Sequence, residues 1–274
     1  MIKDILSAQN PLIKATGELK LKKYRSLRGE FLVEGMRAVQ EAINSGWELK
    51  DIFFTDEVSG EEIVNMLKDK PVTCYHINQT LIERITDTKN PQGIVAVVKT
   101  KDSELKDLAG GTGLLLVLDE VRDPGNVGTI IRTADAVGAC GIVLLKDCVD
   151  IYSPKVVRST MGSIFHLPII TNVDKALFCE WCKKGQWPLW VSSLEGGTSI
   201  HETPWGPKVA LVMGNEANGA SAEMLKAAVK KVYIPMPGKA ESLNVAIATG
   251  IFLFEGAYKQ ALPLNNNLCY NKKN

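Results

Sequence analysis

The chain has 274 residues, 45% apolar and 23% charged, with 32 Lys/Arg against 31 Asp/Glu and a formal net charge of +1. That length and balance suit a globular protein of two modest domains and disfavour disorder. No run approaches the roughly 20 apolar residues of a membrane span, and Met1-Ile2-Lys3-Asp4-Ile5-Leu6 lacks the apolar core of a signal peptide, so a cytoplasmic protein is expected.

The first 30 residues carry a local basic excess. Lys3, Lys14, Lys20, Lys22, Lys23, Arg25 and Arg28 stand against Asp4, Glu18 and Glu30. Such an excess suits phosphate contact or a solvated helix face alike. Phe31-Leu32-Val33-Glu34-Gly35 precedes a helical pattern at 36–45, strands are expected at 49–55, 72–77 and 93–98, and helices near 61–68 and 80–85. This is a small α/β unit. A polar stretch at 99–104 and Gly110-Gly111-Thr112-Gly113 mark a connection, which divides the chain into 1–104, 105–262 and a flexible tail at 263–274.

Beyond the connection, strands are expected at 114–118, 141–145, 167–170, 188–192 and 209–213, with helices at 127–137, 154–161, 174–183 and 222–229. Apolar strands alternating with amphipathic helices imply a parallel sheet covered on both faces, with ligands at the carboxyl ends of the strands. Cys179-Glu180-Trp181-Cys182 falls in a helical pattern without a second ligand pair. No metal site is expected, and the six cysteines read as reduced thiols. Last comes a short strand at Val232-Tyr233-Ile234, a Pro/Gly loop, the polar step Ser242-Leu243-Asn244, and a helix running through Phe254. That helix is apolar nearly all round, which places it in the core or against a second subunit, and Gly250 in its interior suggests close packing.

Three polar clusters sit at strand ends. The first runs from Asp119 to Arg132 and leaves Arg132 on the polar side of its helix, aimed at a site near the helix start or paired with Asp135. It lacks G-x-G-x-x-G, which argues against a dinucleotide-dependent oxidoreductase. In the second, Gly214-Asn215-Glu216-Ala217-Asn218-Gly219, the glycines supply turns, and Glu216 can accept N–H groups or pair with Arg132. In the third, Ser242 and Asn244 are polar contacts or helix caps.

Together these clusters resemble, in order and spacing, the three motifs of the SpoU branch of the SPOUT RNA methyltransferases, also called the TrmH-like family. Asn126, Gly128 and Arg132 match N-x-G-x-x-x-R, and Gly214, Glu216 and Gly219 match G-x-E-x-x-G. The third motif is matched by Ile234-Pro235-Met236, Gly238 and Ser242-Leu243-Asn244-Val245. The N-terminal part is similar to a ribosomal-protein-like substrate-binding domain through Phe31-Leu32-Val33-Glu34-Gly35 and Asn90-Pro91-Gln92-Gly93. The resemblance implies an α/β chain: a C-terminal parallel-sheet SPOUT domain with a deep trefoil knot, preceded by a smaller α/β RNA-binding domain. It implies transfer of a methyl group from S-adenosylmethionine to a ribose 2′-hydroxyl of RNA, ribosomal rather than transfer RNA, by a homodimer.

By the same resemblance Arg132, Glu216, Asn126 and Asn244 are the catalytic set, and Gly214, Ile234, Met236, Ser242, Leu243 and Asn244 surround the cofactor. Arg132 with Lys20, Lys22, Lys23, Arg25 and Arg28 would face RNA. An arginine titrates above about 12, so Arg132 suits clamping a phosphate better than accepting a proton. Two competing readings are a transfer-RNA methyltransferase and a non-catalytic RNA-binding assembly factor. The second predicts erosion of Arg132, Glu216 or Asn244, and all three are present.

Overall fold

The computed structural model describes residues 2–67 and 70–261. The tail expected at 263–274, the end at 262 of the second expected domain and the last position of the helix expected at 61–68 lie outside these residues. Two compact units are present, one comprising residues up to Asp102 with Val127–Arg132 and Asp150–His166, the other Ser103–Asn126, Thr133–Val149 and the chain from Leu167 onward.

The first unit contains β1 (Ile2–Ile5), α1 (Pro11–Glu18), α2 (Lys22–Arg28), β2 (Glu30–Glu34), α3 (Met36–Asn44), β3 (Leu49–Phe54), α4 (Gly60–Leu67), β4 (Thr73–Ile77), α5 (Gln79–Ile85) and β5 (Ile94–Lys99). Its sheet has the order β1-β4-β3-β5-β2, with β5 antiparallel to both neighbours and the remaining pairs parallel. Ile13, Leu81 and Ile82 from the helices cover Phe53, Ile77 and Val95. Elsewhere in the unit Phe31 meets Trp47, Tyr152 and Phe165 at ring distances of 6.0, 4.6 and 6.4 Å. The sequence reading did not contain β1, α1 or α2. Of the β1 residues only Ile5 is buried, so that edge strand carries almost no periodic signal.

The remaining elements are β6 (Gly113–Leu118), α6 (Pro124–Ala136), β7 (Gly141–Leu145), α7 (Pro154–Thr160), β8 (Ile169–Val173), α8 (Lys175–Lys184), β9 (Leu189–Ser192), β10 (Thr198–Ser199), β11 (Lys208–Met213), α9 (Ala222–Ala227), β12 (Lys230–Tyr233) and α10 (Val245–Ala261). The seven strands are all parallel in the order β10-β12-β9-β11-β6-β7-β8. Every β7 residue is buried, which is why the central strands read as unbroken apolar runs. The chain steps outward from β6 through β7 to β8, then returns to the other side of β6. Ligands of open parallel sheets bind at such a reversal, outside the carboxyl ends of the strands.

Helix α10 is buried along one side, where Phe252 and Leu253 are covered, while Ile247, Ile251, Phe254 and Tyr258 are exposed, so the core of the chain covers only part of its apolar surface. It departs from expectation in its tight approach, which is at Gly256, where a Cβ would lie 2.6 Å from the Trp205 ring, and not at Gly250, where the nearest atom would be 3.7 Å away. The cysteine pair is a packing feature. Burial pushes the Cys182 thiol up to about 12 and the Cys140 and Cys148 thiols to about 11, far from a reactive thiolate.

Candidate active site

The carboxyl ends of β9, β11 and β12 open onto a cavity of about 450 Å³, within the size range of small-molecule sites. Apolar Leu225, Val245 and Phe252 line it together with the loop 214–219. Asn215 and Gly219 close that loop by exchanging N–H···O=C bonds of 3.0 and 2.9 Å. Gly219 has φ 68°, the left-handed value a tight turn needs. Gly214 is required for another reason: a Cβ there would lie 2.1 Å from the backbone of Gly219 and Ala220.

Helix α6 starts three residues before the sequence pattern placed it. Asp123 caps it, accepting from Asn126 N–H at 2.7 Å, and Pro124 fills the first helical position, where no N–H is needed. Asn126 therefore lies inside the first turn. Its Nδ2 donates to Glu216 Oε1 at 2.6 Å, and its Oδ1 accepts from Asn244 Nδ2 at 3.0 Å. Asn244 Oδ1 in turn accepts from the Ala246 and Ile247 N–H groups at the start of α10, at 2.9 and 3.3 Å. A carboxylate only accepts and a backbone N–H only donates, so both amides are held in one orientation. Hydrogen-bond donation runs from the α10 N-terminus through Asn244 and Asn126 to Glu216.

The structure thus unites three of the four expected catalytic residues. Glu216 takes the Asn126 amide as its partner and not Arg132, a correction to the pairing considered from the sequence. Arg132 lies six residues beyond Asn126 on α6, about 9 Å along the axis at 1.5 Å per residue. It is exposed, and its guanidinium forms no ion pair among the described residues. Of the expected cofactor residues, Gly214, Ile234, Met236, Ser242 and Leu243 line the cavity, and Asn244 adjoins it through Asn126. Sequence reasoning missed other lining residues: Ser192 at the end of β9, Ser193, Leu194 and Glu195 just after it, and Lys231 in β12. The rule that sites gather at carboxyl ends of parallel strands would have found the β9 end.

The basic set near the N-terminus divides. Lys22 and Lys23 are exposed, as expected of a phosphate-facing surface. Lys20 Nζ donates to the carbonyls of Arg84 and Thr86, and Arg28 is tied to Glu18 and the Ala15 carbonyl. Arg25 is corrected outright: it is 5% exposed, pairs with Asp150 at 2.6 Å and donates to the Leu19 and Lys20 carbonyls. Its role is structural, since a buried guanidinium with four of its five N–H donors engaged within the protein has little to offer a phosphate.

Known proteins share this architecture. The model of the SpoU rRNA methylase family matches residues 113–254, and that of an MRM3-like substrate-binding domain matches residues 10–96. The chain belongs to the SpoU rRNA methylase family. It is 34% identical, over 92% of its length and 98% of the relative's, to a Bacillus subtilis 23S rRNA (guanosine(2553)-2′-O)-methyltransferase, RlmP. A Streptomyces viridochromogenes 23S rRNA (uridine(2479)-2′-O)-methyltransferase is 31% identical over 84% of this chain and 83% of its own. Among solved structures, an AdoMet-bound rRNA methyltransferase from Sinorhizobium meliloti superposes with a TM-score of 0.87 at 35% identity, covering 96% of this chain and 99% of that one.

Membership makes Gly128, the middle residue of the first motif, a test of the local packing. A Cβ there would lie 2.3 Å from Ser159 Cβ and 3.1 Å from the Val156 carbonyl oxygen of α7. Gly128→Ala is therefore expected to destabilise by about 1–3 kcal/mol through overpacking, although alanine is ordinarily the better helix former. Urea unfolding checks this; a stabilised variant would show that the two helices separate freely.

Proposed function

We propose that the chain transfers a methyl group from S-adenosylmethionine to a ribose 2′-hydroxyl of large-subunit ribosomal RNA. The observation that carries the reading is the hydrogen-bonded Asn244–Asn126–Glu216 chain, which ends on a residue lining the cavity at the carboxyl edge of the sheet. The donor set fits the cofactor. Backbone groups around Gly214, Ile234 and Met236 suit an adenosine, apolar Val245 and Phe252 suit its ring, and Gly214 lets the loop that forms the cavity wall close tightly against the Gly219–Ala220 backbone. When bound, S-adenosylmethionine supplies an electrophilic methyl group on a sulfonium.

The remaining work falls to the chain's own residues. Asn126 and Asn244 hold Glu216 in place at the cavity, and Arg132 grips a phosphate next to the target ribose so that the hydroxyl is oriented for attack. Residues 1–104 hold the RNA, with Lys22 and Lys23 on the contacting surface, and residues 105–262 perform the transfer. A threaded C-terminal segment is part of the same reading: after β12 the chain returns as α10 to pack against β6, past β9 and β11. So are a cytoplasmic location and a homodimer, the dimer supported by the exposed apolar stripe Ile247, Ile251, Phe254 and Tyr258, spaced as one helical face. Ribosomal RNA is preferred over transfer RNA because the Bacillus subtilis relative, matching 92% of this chain, is named for 23S rRNA.

Two measurements test the reading. Calorimetry is expected to show binding of S-adenosylmethionine and not of NADH. Mapping of 2′-O-methyl groups across total RNA with and without the gene is expected to lose a single large-subunit position. A loss confined to transfer RNA would favour the alternative substrate, and unchanged methylation with intact RNA binding would favour an assembly factor.

A further inference from the structure

We propose that Lys175 is a positioning residue for the cofactor cavity, acting as a cationic clamp on Asp119 and Glu120; this rests on reading the cavity as an S-adenosylmethionine site. None of the three residues belongs to the matched motifs. Asp119 and Glu120 directly follow strand β6. The Asp119 carboxylate is fully buried, and Glu120 has φ 59°, a left-handed conformation uncommon outside glycine. Lys175 Nζ lies 3.0 Å from Asp119 Oδ1 and 2.7 Å from Glu120 Oε1, with its side chain 16% exposed. Burial pulls its ammonium down, but the hydrogen bond to Glu120 and the ion pair with Asp119 outweigh that and hold it above the ordinary lysine range. It stays charged at neutral pH.

The dipeptide that Lys175 grips holds both ends of the catalytic loop. Asp119 Oδ2 accepts from the Ser221 N–H at 2.7 Å, and the Glu120 carbonyl accepts from Asn215 Nδ2 at 3.0 Å. Between Asn215 and Ser221 lie Glu216 and a wall of the cavity. A cation at the first residue of a helix opposes the helix dipole, so Lys175 is costly at the start of α8 unless the two carboxylates offset it. Arg122 approaches Glu120 at 3.5 Å but is largely exposed. Without Lys175 the buried Asp119 carboxylate has lost its cation, and it must take up a proton or move toward water. Either response alters the anchor of Ser221 and hence the loop.

The test is the affinity for S-adenosylmethionine, measured by calorimetry at a temperature where circular dichroism shows each variant folded. Lys175→Met is expected to weaken binding by about tenfold or more, because it leaves a buried charge unpaired. Adding Asp119→Asn is expected to restore affinity to within about threefold, since the asparagine oxygen still accepts from Ser221 and carries no charge. A lysine that only stabilised the fold would lower the melting temperature and leave the affinity unchanged in both variants. Lys175→Gln, which keeps an N–H donor, replaces the methionine variant if that one does not fold, with the same expectation. Wild-type binding with unchanged affinity in the single variant overturns this proposal alone, as does a double variant no better than the single. A wild-type chain that binds no S-adenosylmethionine overturns the cofactor reading, and the clamp with it.

Discussion

Arg132→Ala is expected to slow methyl transfer by about a hundredfold or more at saturating RNA and S-adenosylmethionine, with cofactor affinity and melting temperature nearly unchanged. The separation follows from its surroundings. Arg132 is exposed and lies outside the cavity lining, and it forms no ion pair among the described residues, so its removal opens no void and strands no partner. An exposed arginine of that kind contributes within about half a kcal/mol to stability. Its value lies in gripping an anion that arrives with the substrate. Arg132→Lys should recover little, because lysine keeps the charge and loses the planar fork that holds two phosphate oxygens at once. Single-turnover methyl transfer distinguishes this from weakened RNA binding, which added RNA would overcome. Near-normal rates in the alanine variant would move the role to Glu216.

The parts legible from sequence are those whose signal is local. Strands 114–118, 141–145 and 209–213 are recovered to within one residue because they are buried on both faces and bounded by glycine or polar residues. Helix α6 was entered three residues late, since Gly125 and Asn126 interrupt the apolar stripe, although Asp123 and Pro124 form an ordinary start signal. What local patterns could not carry is pairing across distance. The register of β1 on β4, Ile2 against Cys74, depends on a strand far along the chain. Asn126 meets Glu216 90 residues away and Asn244 118 residues away. The motifs named those residues, and only the fold revealed that one amide links the other two. Arg25 shows the converse error: charge density marked it for RNA, whereas burial beside Asp150 commits it to the fold.

Gly214→Ala is expected to reduce S-adenosylmethionine affinity by about a hundredfold or more, while Gly238→Ala, also within a matched motif, should change it little. The two glycines differ in the space around them. At Gly214 an added Cβ would lie 2.1 Å from Gly219 C and Ala220 N and 2.4 Å from Gly219 O, all backbone atoms that no rotamer change can move. Gly214 directly follows β11, whose pairing with β6 fixes its position through Met213 opposite Leu118. The strain must therefore be relieved in the loop, by parting the reciprocal Asn215 and Gly219 hydrogen bonds that give the cavity wall its shape. Around Gly238 a Cβ would meet nothing within 4 Å. Thermal unfolding should fall by several degrees in the Gly214 variant, as overpacking costs of about 1–3 kcal/mol imply, but the fold should persist because the strands behind the loop are untouched. Calorimetric titration of both variants provides the comparison. Equal losses at the two positions would mean that loop flexibility, and not the space beside Gly219, is what the cofactor requires of these glycines.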